Sequence, residues 1–334
     1  MGKKRGAQSG EERLIGRFFR PIAGHAGALG LADDAALLSP PPGHDLVLTV
    51  DAVVAGVHFF SDDAADLIAK KALRVNLSDL AAKGAEPLGA LLSLSIPESV
   101  SDEWLEAFAH GLGEDCDQFN CPLLGGDTTA TGGSPTISIT AVGSVPSGKM
   151  VQRRGAAAGD VIVVTGTVGD AALGLRLWRQ PDAAAFASLD AMAKSYLRER
   201  YLLPRPRLAL AGALRGHASA AMDVSDGLVG DLAKLAAVSD IGASIEAARV
   251  PLSPAARAAV AGDASLIEAV LTGGDDYEIV ATIPQNRLAA FQEAAAATGI
   301  EVTTIGRIEA GKGVKVIGPD GQPFNLKQAS FSHF

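Results

Sequence analysis

The sequence predicts a two-domain α/β (α+β) protein. Three observations support this: 334 residues exceed what one compact core takes up, strand-like and helix-like segments alternate through the first half, and a polar, basic interval divides the chain. The interval is Pro146 to Gly159, so the domains are expected at 11–148 and 149–334. Nearly half the residues are hydrophobic, at 48%, but only 5% are aromatic, so the core must be built from Ala, Val and Leu.

The elements follow in order. Asp45 to Asp51 is a β-branched, apolar run ending on a carboxylate, which reads as a strand. Asp66 to Ala82 places Leu67, Leu73, Leu77 and Leu80 near a 3.6-residue period, and Gly84, Glu86 and Pro87 stop that helix. Ala90 to Ile96 is the next strand. Ser101 is a suitable N-cap for a helix from Asp102 to about Cys116. Cys121 to Gly125 reads as a short strand and Thr136 to Val142 as an alternating one.

Beyond the divide, Asp160 to Thr165 is an apolar strand. Gly166 to Gly169 then turns into a helix from Asp170 to Trp178, and Pro204 and Pro206 mark a break. Ala220 to Asp223, Glu278 to Ile283 and Val302 to Ile308 read as strands; Gly227 to Ala237 and Leu266 to Thr272 read as helices. No internal repeat of fixed period is present.

Several function classes are excluded. A net charge of −9 disfavours a nucleic-acid partner, because a phosphate backbone demands a basic surface. The short basic start, with Lys3, Lys4 and Arg5, lacks the apolar segment of a signal peptide, and no apolar run spans a bilayer. A cytoplasmic protein is expected. Cys116 and Cys121 lack zinc or redox spacing and are expected to be reduced thiols. The histidines form no HExxH, and there is no GxSxG, GxGxxG or GxxxxGK[ST].

The chemistry-bearing pattern is the placement of aspartates. Asp33-Asp34, Asp51, Asp79, Asp127, Asp223, Asp226 and Asp275-Asp276 stand at or near strand ends and Gly-rich turns, where chains converge at a sheet edge. Without His or Cys companions they form a hard-oxygen set that suits Mg²⁺ with waters and phosphates. Each also has a plainer reading: Asp226 as a helix N-cap, Asp127 as a turn cap, the two pairs as turn residues. Gly166 to Gly169 is either a plain tight turn or an anion site at a helix start.

Taken together, Gly30 to Leu38 (GLADDAALL), Thr49 to His58 (TVDAVVAGVH), Asn76 to Leu80 (NLSDL), Gly125 to Thr129, Arg153 to Ala156, Asp223 to Leu228 (DVSDGL) and Gly273 to Glu278 (GGDDYE) closely resemble the signatures of bacterial thiamine-monophosphate kinases. Those enzymes belong to the superfamily of aminoimidazole-ribonucleotide synthetase. The resemblance implies a two-domain fold of that type, with an N-terminal ATP- and Mg²⁺-binding domain whose sheet is completed by homodimerisation and a C-terminal α+β domain. It implies ATP-dependent phosphorylation of thiamine phosphate to thiamine diphosphate, with several Mg²⁺ ions; because the acceptor phosphate oxygen is already largely deprotonated at neutral pH, direct transfer without a phosphoenzyme is expected.

Carried over by position, Asp34, Thr49, Val50, Asp51, Asp79, Asp127, Asp223 and Asp226 are implied metal ligands, Val50 through its carbonyl alone. Gly126, Asp127, Arg153 and Ser225 are implied ATP contacts, and His58, Asp275 and Gln328 are implied substrate contacts. Relatives often carry Glu where this chain has Asp275, and Trp where it has Gln328. The alternatives are another ATP-using enzyme of the superfamily, or a non-catalytic ATP- or metal-binding maturation protein.

Overall fold

The computed structural model describes residues 10–318, 320–326 and 330. The chain forms two compact units. One takes in residues up to Asn76 together with Pro87–Ser144; the other takes in Leu77–Glu86 and the chain from Val145 onward. The short return of Leu77–Glu86 to the second unit has no signature in composition, because it continues a helix without a break.

In the first unit the elements are α1 (Gly10–Leu14), β1 (His44–Val54), α2 (Ala65–Ala82), β2 (Glu86–Ile96), α3 (Asp102–Gln118), β3 (Leu123–Ala130) and β4 (Thr136–Pro146). The strands form a four-stranded sheet in the order β1-β4-β2-β3. β2 and β3 pair in parallel, which requires a crossover, and α3 supplies it. Ser101 caps α3 as its sequence predicts, its Oγ accepting from the Trp104 N–H at 3.2 Å. Leu92, Leu94 and Ile96 of β2 are buried, as are Leu105, Phe108 and Leu112 of α3. The opposite face of the sheet is open: Leu48 and Val50 of β1 are 65% and 60% exposed, while the alternating Val47 and Val53 are buried.

The second unit holds β5 (Val161–Thr165), α4 (Asp170–Arg179), α5 (Ala191–Leu202), α6 (Ala211–His217), β6 (Ala220–Val224), α7 (Leu228–Val238), β7 (Gly242–Glu246), α8 (Pro254–Gly262), α9 (Leu266–Thr272), β8 (Glu278–Ile283), α10 (Leu288–Ala296), β9 (Val302–Glu309) and β10 (Gly313–Ile317). Its six-stranded sheet runs β10-β7-β9-β5-β8-β6, with β10 and β7 parallel and the other neighbours antiparallel. Period-two alternation splits β5 between two cores. Ile162 and Val164 pack with Leu173, Leu197 and Leu228 on one face; Val161 and Val163 pack with Leu214 and Phe291 on the other. A strand covered on both faces reads as a continuous apolar run, which is why β5 and β8 are the plainest strands in the sequence.

Candidate functional site

In the first unit a cleft of about 590 Å³ is bordered by Asp33, Asp34, Gly126, Asp127, Ser93 and Thr140, among others. Asp127 reaches it from β3, in register with Ser93 of β2. Gly126 must be glycine: a Cβ there would lie 1.9 Å from the Leu92 carbonyl oxygen. The Asp34 N–H donates to Asp33 Oδ1 at 2.8 Å, so Asp33 shapes the turn and leaves Asp34 on the exposed rim. The structure thus brings Asp34, Gly126 and Asp127 to one place.

Thr49, Val50 and Asp51 sit on β1 and do not border that cleft. The Asp51 N–H donates to Asn76 Oδ1 at 3.0 Å, and the Asn76 amide donates to the Ala72 carbonyl, also at 3.0 Å. Asn76 is fully buried, so this pair anchors β1 to α2 at the level of Asp51. His58 follows in the turn after β1, its Nδ1 accepting from the Val54 N–H at 3.1 Å.

In the second unit, Asp223 stands one residue before the end of β6 and is buried. Burial pushes its carboxyl well above the usual carboxylate range; the Asp79 and Asp231 charges push it further, and the Ser78 hydroxyl and Lys83 pull the other way. Burial lowers Lys83, whose ammonium donates to the Ala221 carbonyl at 2.7 Å and feels the charges of Asp223, Arg153 and Asp79. Asp79 therefore acts on Asp223, and both of them, with Arg153, act on Lys83.

The next turn is built around Asp231, four residues beyond Gly227. Its carboxylate accepts from the Ser225 N–H at 3.0 Å and the Asp226 N–H at 2.9 Å. Asp226 does not cap α7, whose N-cap position is Gly227; its carboxylate accepts from Lys234 Nζ at 2.5 Å. Gly227 is required there, since its φ is 116° and a Cβ would lie 2.5 Å from the Thr272 carbonyl. Asp275, at φ 71°, docks on the same turn through its N–H to the Ser225 carbonyl at 2.8 Å.

Asp276 faces inward and closes the start of α4, accepting from the N–H groups of Gly169 at 2.6 Å and Ala171 at 3.1 Å. The helix start behind the Gly166 to Gly169 turn is therefore filled by a carboxyl from within the chain, one that burial pushes well above the usual carboxylate range while these two N–H groups pull against it. Behind it lies a buried ionic cluster: Glu278 accepts from Thr165 Oγ1 at 2.6 Å, from Arg207 Nε at 2.6 Å and from Arg200 at 3.2 Å.

Gln328 lies outside the described residues, as does nearby Phe331. Sequence reasoning missed Asp231, Lys83 and the Arg200–Glu278–Arg207 cluster. Asp231 alone carries a signal, a single carboxylate within the apolar run of α7.

Among the described residues, no three His, Cys, Asp or Glu side chains converge on one point as a metal site. What the structure offers is carboxylates only: Asp34 with Asp127 in the first unit, and the mutually repelling Asp79 and Asp223 in the second. Such a set fits Mg²⁺, which takes one or two carboxylates and completes its shell with water and phosphate.

Residues 32–145 match the family model of the AIR synthase related protein N-terminal domain, and residues 157–319 that of its C-terminal domain. A thiamine-monophosphate kinase of Caulobacter vibrioides is 44% identical over 93% of this chain and 88% of its own length. The crystal structure of a thiamine-monophosphate kinase from Stenotrophomonas maltophilia superposes with TM-score 0.81 at 41% identity, covering 94% of this chain and 96% of that one. AaThiL complexed with AMPPCP and TMP superposes with TM-score 0.77 at 32% identity, covering 90% of this chain and 91% of the other.

Proposed function

The chain belongs to the thiamine-monophosphate kinase family of AIR synthase related proteins, and we propose on that premise how its residues move the γ-phosphate of ATP onto thiamine phosphate. The observation that carries the reading is the near-full-length identity; the aspartates bordering the first unit's cleft and the charges around Asp223 in the second support it, although Asp51 and Asp127 lie inside β1 and β3 and Asp79 inside α2 rather than at strand ends.

Phosphoryl transfer needs little covalent chemistry from a protein; it needs in-line positioning and cancellation of charge. Here donor and acceptor are both phosphates and repel each other. Mg²⁺, when bound, supplies the neutralising charge between them. In the first unit Asp34, Asp51 and Asp127 would hold such ions, with Thr49 and the Val50 carbonyl contributing from β1; in the second, Asp79, Asp223 and Asp226 would do so. The buried, raised Asp223 beside Asp79 supports this assignment, because a cation relieves that repulsion. Lys234 pairs with Asp226 and holds that ligand in place.

Gly126, Asp127, Arg153 and Ser225 contact ATP. Gly126 supports the reading by its place on the border of the first unit's cleft, and Ser225 by its N–H bond to Asp231, which fixes its turn. His58 and Asp275 contact thiamine phosphate, and Gln328 is assigned there by position alone. The attacking phosphate oxygen is already ionised at neutral pH, so no general base is required and transfer is direct.

The enzyme acts as a cytoplasmic homodimer. The apolar open face of the first unit's sheet, with Leu46, Leu48, Val50 and Leu91 exposed, supports pairing with a second copy. Two experiments test the function. ADP release must depend stoichiometrically on added thiamine phosphate; ATP binding without such turnover would refute the kinase reading. A chiral γ-phosphate must emerge inverted, since retention would require a phosphoenzyme.

A further inference from the structure

Lys71 is 1% exposed, although lysine is among the residues least often fully buried. It lies on a stretch of α2 whose neighbours Ile68, Ala72 and Val75 are equally buried, and an aliphatic residue would fill the space without desolvating a charge. Its ammonium donates to the His58 carbonyl at 2.8 Å. Burial lifts the nearby Asp63 carboxyl, and the Phe60 N–H and the Lys71 charge pull against that lift.

The turn that Lys71 braces is tight. The Val54 carbonyl accepts from the His58 N–H at 2.9 Å, and the Gly56 N–H donates to the Phe59 carbonyl at 2.8 Å. Asp63 Oδ2 accepts from the Phe60 N–H at 2.7 Å and fastens the far end. Within it, His58 Nδ1 accepts from the Val54 N–H, so the neutral ring carries its proton on Nε2. The imidazole is thus oriented by its own turn, and the turn is fixed by a buried cation. Apart from the charge on Lys71, nothing in this arrangement needs a lysine for packing.

We propose that Lys71 is a positioning residue for His58, holding its backbone so that the Nε2–H points at the substrate. This rests on the reading of His58 as a thiamine-phosphate contact. Lys71 touches neither substrate nor ATP; it acts through the His58 carbonyl.

The test uses the full-length enzyme with Lys71→Met and Lys71→Gln, checked for folding by circular dichroism. The KM for thiamine phosphate should rise roughly tenfold, the scale of losing a support behind a contact residue, while the KM for ATP stays within about twofold. Adding Lys71→Met to His58→Ala should raise KM no further than His58→Ala alone. Imidazole ¹⁵N spectra should show one Nε2–H tautomer in the wild type and a mixture in Lys71→Met. Unchanged KM and an unchanged His58 spectrum in a folded variant would overturn the proposal. If His58→Ala leaves KM unmoved while Lys71→Met still disturbs the imidazole, the positioning stands and the substrate-contact reading falls. If neither variant folds, the wild type decides: thiamine phosphate, and not an ATP analogue, should shift the Lys71 ammonium resonance, and no shift would overturn the proposal.

Discussion

The carboxylate of Asp276 closes the helix start at Gly169, 2.6 Å from its N–H, and binds the Ala171 N–H as well. Gly169 sits at φ 87°, and a Cβ there would press within 2.7 Å of Val270. The N–H groups at this helix start are thus taken up by a carboxyl from the loop that carries Asp275.

Asp276→Ala should therefore cost stability first. Two buried N–H groups lose their acceptor, at roughly 1–3 kcal/mol each, so a total of about 2–6 kcal/mol is expected from urea unfolding. A loss below about 0.5 kcal/mol would mean that water satisfies these groups at little cost.

Much of the fold was legible because its strands are covered on both faces or alternate cleanly. β5, β8 and α9 were read from apolar runs and helical spacing, and Ser101 from its capping position. The site was legible only in part. Asp34, Gly126 and Asp127 announce themselves as carboxylates and glycines, and the structure gathers them at one cleft, but Gly126 and Asp127 lie inside β3, which runs on to Ala130 past the expected stop at Gly125. Asp276 does not: next to Asp275 in sequence, it differs only in facing inward, and a positive φ at Asp275 and Tyr277 decides that. Lys83 and Arg200 look like ordinary helix-face charges until tertiary packing buries them.

Asp223 sets a pH dependence. Burial raises its carboxyl in the folded state above the unfolded value of about 3.9, so the native state prefers it protonated. Its contribution is fully present below the unfolded value and is lost as pH climbs through the folded one. Without Mg²⁺, Asp223→Asn should match the wild type near pH 4 and exceed it at pH 7.5. A gain of about 1 kcal/mol corresponds to roughly 2–4 °C in Tm for a domain of this size. Adding Mg²⁺ with nucleotide should raise Tm in the wild type more than in the variant. Parallel Tm–pH curves would remove the buried charge from the account.

The metal assignments make a separate demand on turnover. Asp51→Asn and Asp79→Asn should each lower kcat by about 10²–10³-fold, the scale of losing one preorganised electrostatic group. Folding should remain intact, because the side chain keeps its volume and loses only charge. Near-normal kcat at saturating Mg²⁺ in either variant would take that residue out of the metal set.

Cys116 and Cys121 are both buried, and burial pushes each thiol up to about 12. At pH 8 the thiolate fraction is then on the order of 10⁻⁴, so iodoacetamide should leave the folded enzyme unmodified. Both thiols should react promptly in urea. Stoichiometric labelling with an unchanged circular dichroism spectrum would show that the first unit opens without unfolding.

The exposed face of β1 makes the last prediction. Leu46, Leu48 and Val50 alternate outward at 41%, 65% and 60% exposure, and Leu91 of β2 adds a fourth apolar side chain. Exposed leucines scattered singly mean little, but a row at period two along one strand is a face. In an isolated subunit that row stays in water, and a second copy would bury it with a gain of about 25 cal/mol per Å² of apolar area. Leu48→Lys places a charge in the middle of the row without touching the buried Val47 and Val53. Light scattering should then show the wild type as a dimer at micromolar concentration and the variant shifted to monomer. The lysine is exposed in the monomer, so circular dichroism should be unchanged. Activity decides what the pairing does. A monomeric variant with full kcat would make the dimer a matter of stability alone, whereas activity that rises with protein concentration would tie turnover to the paired sheet. A wild-type enzyme that runs as a monomer across the whole range would end the proposal, leaving the row of leucines without a partner of its own kind.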